Sequence, residues 1–97
     1  MLGYIKEVAK EDNLKPDISA VLPKIAMCES SDKPNAIHYN FNGTVDRSIF
    51  QINSVHRIEA LAMGLNIAKW QDNIKYAVYL ASTSGLKPWQ DSAHCWH

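Results

Sequence analysis

The chain has 97 residues, ten basic and ten acidic, with 46% apolar and 21% charged residues. That composition fits one compact globular domain over residues 1–97, too short for two cores and too apolar for a disordered chain. A formal net charge of zero, with no basic stripe or polybasic segment, argues against nucleic acid and against an anionic membrane surface as partners. No stretch approaches the ~20 apolar residues of a membrane span, so membrane insertion is not expected. The start, Met1-Leu2-Gly3-Tyr4-Ile5-Lys6-Glu7, acquires charge before a signal-peptide core could form. The expectation is a chain without its own signal peptide: cytoplasmic when made, exported by another route, or part of a longer protein.

Residues 2–12 carry Ile5, Val8 and Ala9 on one side and Lys6, Glu7, Lys10 and Glu11 elsewhere, which predicts an amphipathic helix. Asn13 and Pro16 end it, and Asp17 is expected to cap a second helix reaching Glu29 or Ser30. There Ile18, Val21, Leu22 and Ile25 follow the helical template, while Pro23 predicts a kink or a fresh start. From Ser30 to Ser48 the helical period disappears. The Asn42-Gly43 pair between Tyr39-Asn40-Phe41 and Thr44-Val45-Asp46 predicts a small hairpin with a type I′ turn. Helical pattern is expected again at Ile49–Ile52 and Val55–Met63, stopped by Gly64. A longer helix is predicted over residues 71–83, where Ile74, Ala77, Val78 and Ala81 repeat the template and Gly85 and Pro88 end it. The tail Trp89–His97 is short and aromatic-rich. The predicted fold is mostly α, a helical domain with a small β-hairpin lining a cleft.

The informative residue is Glu29. It continues the apolar series of the second helix one step beyond Ile25, so it points at the core or at a cleft wall. It also lies in the last helical turn, where the macrodipole disfavours negative charge. Desolvation and dipole act in the same direction and are expected to raise its pKa, as a general acid near neutral pH requires. A partly buried Glu that caps loop amides or pairs with a Lys has the same local signature. Asp46, on the strand after the turn, is the second candidate: a helix-end acid facing a hairpin acid suggests the paired carboxylates of glycosidic-bond cleavage. On local grounds Asp46 also reads as an Asx-type turn residue. The amides of Asn40, Asn42, Gln51 and Asn53 suit a sugar-binding groove.

The stretch from Glu29 to Ser54, ESSDKPNAIHYNFNGTVDRSIFQINS, resembles the lysozyme-like superfamily without gaps, both the animal-type lysozymes and the soluble-lytic-transglycosylase domains. The matching positions are Glu29-Ser30, Ala36, the Asn40…Asn42-Gly43-Thr44 turn, Asp46 and Ile49-Phe50-Gln51-Ile52-Asn53-Ser54. Downstream, Asn73-Ile74…Ala77…Tyr79-Leu80 is similar to the third-helix pattern of the transglycosylase branch, and Gly85…Trp89 resembles both branches more loosely. The resemblance implies a lysozyme-like α+β fold and a peptidoglycan glycosidase that cuts the β-1,4 bond between N-acetylmuramic acid and N-acetylglucosamine, without a cofactor. It implies Glu29 as catalytic acid and Asp46 as nucleophile or stabiliser of the oxocarbenium-like state. It further implies that Gln51 and Asn53 shape the cleft beside Asp46, and that Trp89 sits over the acid. Two departures stand out. Ser48 occupies a position that is usually glycine, and Ala81-Ser82-Thr83-Ser84-Gly85 replaces the Ala-Tyr-Asn-x-Gly segment of transglycosylases. The former would strain the turn or shift the groove if positive φ is needed there. A catalytically inactive sugar-binding module of the same fold is the alternative.

Cys28 directly precedes Glu29 and Cys95 lies in the tail. A bridge between them would tie the tail to the helix bearing the acid and argue for an extracytoplasmic place of work; a pair of buried thiols is the other reading. A zinc site from Cys28, His94, Cys95 and His97 matches no usual ligand spacing, so no metal is expected. His38 and His56 read as loop and surface residues. Tyr39, Phe41 and Trp70 read either as sugar-stacking residues or as core. Zero net charge also gives no long-range steering toward a negatively charged cell wall. The expectation is therefore a monomeric domain delivered by a larger protein, a phage particle or an export apparatus.

Overall fold

The computed structural model describes residues 1–97. It is a mostly helical α+β domain with five α-helices and a three-stranded antiparallel sheet. The helices are α1 (Leu2–Glu11), α2 (Pro16–Ser30), α3 (Arg57–Ala62), α4 (Trp70–Ser84) and α5 (Ala93–Trp96). Short 3-10 segments at Ser54–His56 and Lys87–Ser92 lead into α3 and α5. The strands are β1 (Ile37–Tyr39), β2 (Val45–Arg47) and β3 (Ile52–Asn53), in that order across the sheet. No helix is long and apolar enough to cross a membrane.

α4 is the centre of the core. Ile74, Tyr76, Ala77, Val78, Leu80 and Ala81 are all buried, because the helix is covered on several sides at once. Ile5, Val8 and Ala9 of α1 and Leu22, Ile25 and Ala26 of α2 join the same cluster, with Ile49, Phe50, Ile52 and Trp89. The apolar positions read from the helical period are therefore the buried ones; Ile18 and Val21 pack at the edge.

Several expectations change. The cap of α2 is Lys15 in extended conformation, with Pro16 as the first helical residue and Asp17 in the first turn. Proline suits that position because its fixed φ is helical and its missing N–H would have no partner there. Pro23 starts no new helix; α2 runs from Pro16 to Ser30 with Pro23 inside it. The lost backbone bond is offset locally by burial of Leu22, Ile25 and Ala26 on either side. The predicted type I′ turn is instead a three-residue loop. Tyr39 pairs with Val45, the Gly43 N–H donates to the Asn40 carbonyl (3.1 Å), and only Gly43 has positive φ (86°). This is the turn-plus-left-handed-glycine solution of longer hairpins.

The largest change concerns Ile49–Ile52, expected to be helical. Residues 48–51 form a tight turn and Ile52 begins β3, so the hairpin becomes a three-stranded sheet. Side chains from distant elements hold this turn. Asn73 of α4, fully buried, accepts from the Phe50 N–H (2.8 Å) and donates to the carbonyls of Arg47 (2.9 Å) and Ile67 (2.8 Å). Trp89 in the tail donates its indole N–H to the Phe50 carbonyl (3.0 Å). The backbone of Phe50 is thus clamped at both its N–H and its carbonyl.

Ser48 opens the turn at φ 65°, and its buried hydroxyl has no hydrogen-bond partner. A left-handed non-glycine residue and an unpaired buried hydroxyl both cost free energy. Ser48→Gly is expected to stabilise the fold by about 1 kcal/mol after the glycine's own entropy cost is subtracted. Thermal unfolding checks this; an unchanged or lower midpoint would count against the strain.

Candidate active site

The fold brings α2, the sheet and the tail around one cleft of about 710 Å³. Glu29, Asn40, Asp46, Gln51, Asn53 and Trp89 all line it, together with Phe41, His56, Asp91 and Ser92. The sequence-derived site residues therefore meet in one place.

Glu29 is half-buried in the last turn of α2. Its neighbour Ser30 donates to the Ile49 carbonyl (2.7 Å), which ties the end of the helix to the 48–51 turn. Burial raises the pKa of the Glu29 carboxyl, and the negative charges of Asp46 and Asp91 push it the same way. Only a hydrogen bond from Ser92 opposes them, by favouring the charged form. The net direction is upward, toward a carboxylic acid that keeps its proton.

Asp46 sits at the centre of β2, opposite Asn53 of β3. Asn53 Nδ2 donates to one carboxyl oxygen (2.9 Å) and Asn40 Nδ2 to the other (3.2 Å). Both amides also reach the Thr44 hydroxyl (3.1 Å each), which in turn donates to Asn42 Oδ1 (2.6 Å). The loop after β1 and the end of β3 thereby orient one carboxylate from both sides. Asn40 and Asn53 act on Asp46, and Asn42 braces their common hydroxyl.

Gln51 serves the turn. Its Nε2 donates to the carbonyls of Ser48 (2.9 Å) and Ala36 (3.1 Å), so its amide nitrogen shapes the cleft wall from within. Trp89 is buried on the cleft wall and packs on Phe50 with ring centroids 5.8 Å apart. Cys28 and Cys95 form a disulfide, which fixes the tail to the residue before Glu29 and removes both sulfurs as metal ligands. No group of three or more His, Cys, Asp or Glu is placed to hold a metal ion.

The remaining aromatic and histidine expectations divide. Tyr39 and Phe41 are exposed, Phe41 completely, and Phe41 lies on the cleft. Trp70 packs edge-on against Tyr4 at 5.5 Å, in the core's margin. His38 is an exposed strand residue rather than a loop residue. His56 is half-buried on the cleft, its Nδ1 3.2 Å from the Tyr76 hydroxyl, which donates to Glu59 Oε1 (2.5 Å). That donation leaves His56 Nδ1 to supply the proton of its own bond. Burial and the Glu59 carboxylate raise the Tyr76 pKa well above the ordinary phenol value.

Ser92 and Asp91 are cleft residues that sequence reading missed; His56 reads from sequence only as a surface residue, and Asn73 only as part of a helix pattern. For Ser92 a signal existed: Cys95 follows it closely, and Cys28 immediately precedes Glu29. Pairing the cysteines places the segment around Ser92 beside the acid. No protein-family model matches the chain, and no curated protein matches it at a significant level.

Proposed function

We propose that this chain is a lysozyme-like peptidoglycan glycosidase, a lytic transglycosylase or lysozyme-type hydrolase. It cleaves the β-1,4 bond between N-acetylmuramic acid and N-acetylglucosamine. The observation that carries the reading is the pair of carboxyls on one cleft: Glu29, half-buried with a raised pKa, and Asp46, oriented by two amides. A neutral Glu29 gives its proton to the glycosidic oxygen as the bond to the anomeric carbon breaks. Asp46 faces the positive charge that develops on the sugar. The ionised Glu29 then takes a proton from the attacking hydroxyl, either water or the 6-hydroxyl of the same muramic residue.

The polar lining supports a carbohydrate ligand, since amide, hydroxyl and carboxyl side chains outnumber apolar ones on the cleft. The disulfide supports an extracytoplasmic place of work, because such bridges persist in oxidising surroundings. Zero net charge supports delivery within a larger protein, a phage particle or an export apparatus over free diffusion to an anionic wall.

The test is digestion of purified peptidoglycan sacculi by the oxidised protein, with mass analysis of the released muropeptides. Anhydro ends assign a transglycosylase and reducing ends a hydrolase. Binding of the glycan without release of fragments overturns the reading in favour of a sugar-binding module.

A further inference from the structure

Ser92 ends the 3-10 segment of the tail, and its Oγ meets three polar groups: Glu29 Oε2, the Trp89 carbonyl (3.0 Å) and Trp96 Nε1 (3.1 Å). A serine hydroxyl has one proton to give and two lone pairs to offer. The indole N–H of Trp96 can only donate, so it takes one lone pair. The single Ser92 proton then faces two acceptors, the Glu29 carboxylate and the Trp89 carbonyl, and serves one at a time.

The protonation state of Glu29 decides which. When Glu29 is ionised, Ser92 donates to it. When Glu29 is protonated, its own O–H donates to the second lone pair of Ser92, whose proton turns to the Trp89 carbonyl. That carbonyl also lies 3.3 Å from Trp96 Nε1, so it keeps a donor within reach when Ser92 turns away. Heavy atoms need not move in either state. Ser92 makes the one side-chain hydrogen bond that Glu29 has.

We propose that Ser92 is the positioning residue of Glu29, a hydroxyl that reverses its donor and acceptor sense with the charge on Glu29. It holds the carboxyl in one place before and after proton release. The proposal rests on the reading of Glu29 as an acid that becomes a base within one cycle, which demands a fixed carboxyl in both states. The charged groups that face Glu29 are Asp46 from β2 and Asp91 from the tail, both negative; His56 lines the same cleft. None of these can donate to the ionised acid in place of Ser92 without crossing the cleft or gaining a proton.

Carbon-13 NMR titration of a side-chain-labelled Glu29 carboxyl tests this in the disulfide-bonded protein, in wild type, Ser92→Ala and Ser92→Thr. Ser92→Ala is expected to move the Glu29 titration to higher pH, because the bond lost from the ionised carboxylate is charge-assisted and stronger than the one lost from the neutral acid. Ser92→Thr, which keeps the hydroxyl, is expected to restore it. The alkaline limb of cleavage activity follows the same shift, with activity at the optimum about tenfold lower in the alanine variant. An alanine variant that titrates with wild type, or lower, overturns the proposal. So does a folded threonine variant that titrates with alanine. The titration is read without turnover, so absent cleavage with the shift intact overturns only the glycosidase reading.

Discussion

Glu29→Gln is expected to lower peptidoglycan cleavage by about 10²–10⁴-fold while leaving the cleft and glycan binding in place. Glutamine keeps the shape of the side chain and cannot release a proton. The same substitution is expected to stabilise the fold at neutral pH. Glu29 binds its proton more tightly folded than unfolded, because burial and two neighbouring aspartates oppose its charge. Between the unfolded and folded pKa values the native state therefore holds more protons than the unfolded chain, and stability falls as pH rises through that window. Below the ordinary carboxyl value both states are protonated and the effect of Glu29 disappears. Thermal midpoints of wild type and Glu29→Gln should thus separate at pH 7 and converge in acid. A variant with full activity, or one whose relative stability runs the other way with pH, contradicts the assignment of an acid held neutral by its surroundings.

Asn73→Ala is expected to be the most destabilising single change at a polar position, by about 3–5 kcal/mol, because several buried backbone groups lose their partner at once. The Phe50 N–H and the Arg47 and Ile67 carbonyls would each face the interior unpaired. Asn73→Asp preserves the acceptor for Phe50 and loses both donated bonds, so it should not rescue. Chemical denaturation reads the loss directly. A change below 1 kcal/mol would mean that water replaces the amide and that the turn is not clamped from α4. Since that turn carries Ile52 and Asn53 into β3, the same variant should loosen the wall that orients Asp46.

Local pattern singles out Glu29, Asp46 and the two cysteines, each beside a structural reading: a capping or paired Glu, an Asx-type turn residue, two buried thiols. Glu29 ends an apolar helical series, Asp46 follows an Asn-Gly turn, and Cys28 adjoins the acid. Residues 49–52 were not legible. Ile49, Phe50 and Ile52 form a short apolar run whose period suits helix and strand alike, and the deciding bonds come from Asn73 and Trp89 far along the chain. Asn73 itself looks like an ordinary polar residue in an amphipathic helix; only the surrounding fold turns it inward. Of the two expectations at Pro23, a kink or a fresh start, the fresh start fails for a related reason, since propensity is a weak guide where a helix is held by the core on both sides of the defect.

The covalent tie between α2 and the tail makes the firmness of the cleft depend on redox state. Ser92 reaches Glu29 from a segment far down the chain, and Cys28 and Cys95 are separated by 67 positions. Closing a loop of that length stabilises a fold by ~2–4 kcal/mol. While the thiols are reduced, the tail's side of the cleft is held by noncovalent contacts only, among them the packing of Trp89 and Trp96 and the Trp89 bond to the Phe50 carbonyl. Oxidation of Cys28 and Cys95 then adds a covalent hold to that wall, so the resistance of the cleft to opening follows the redox state of its surroundings.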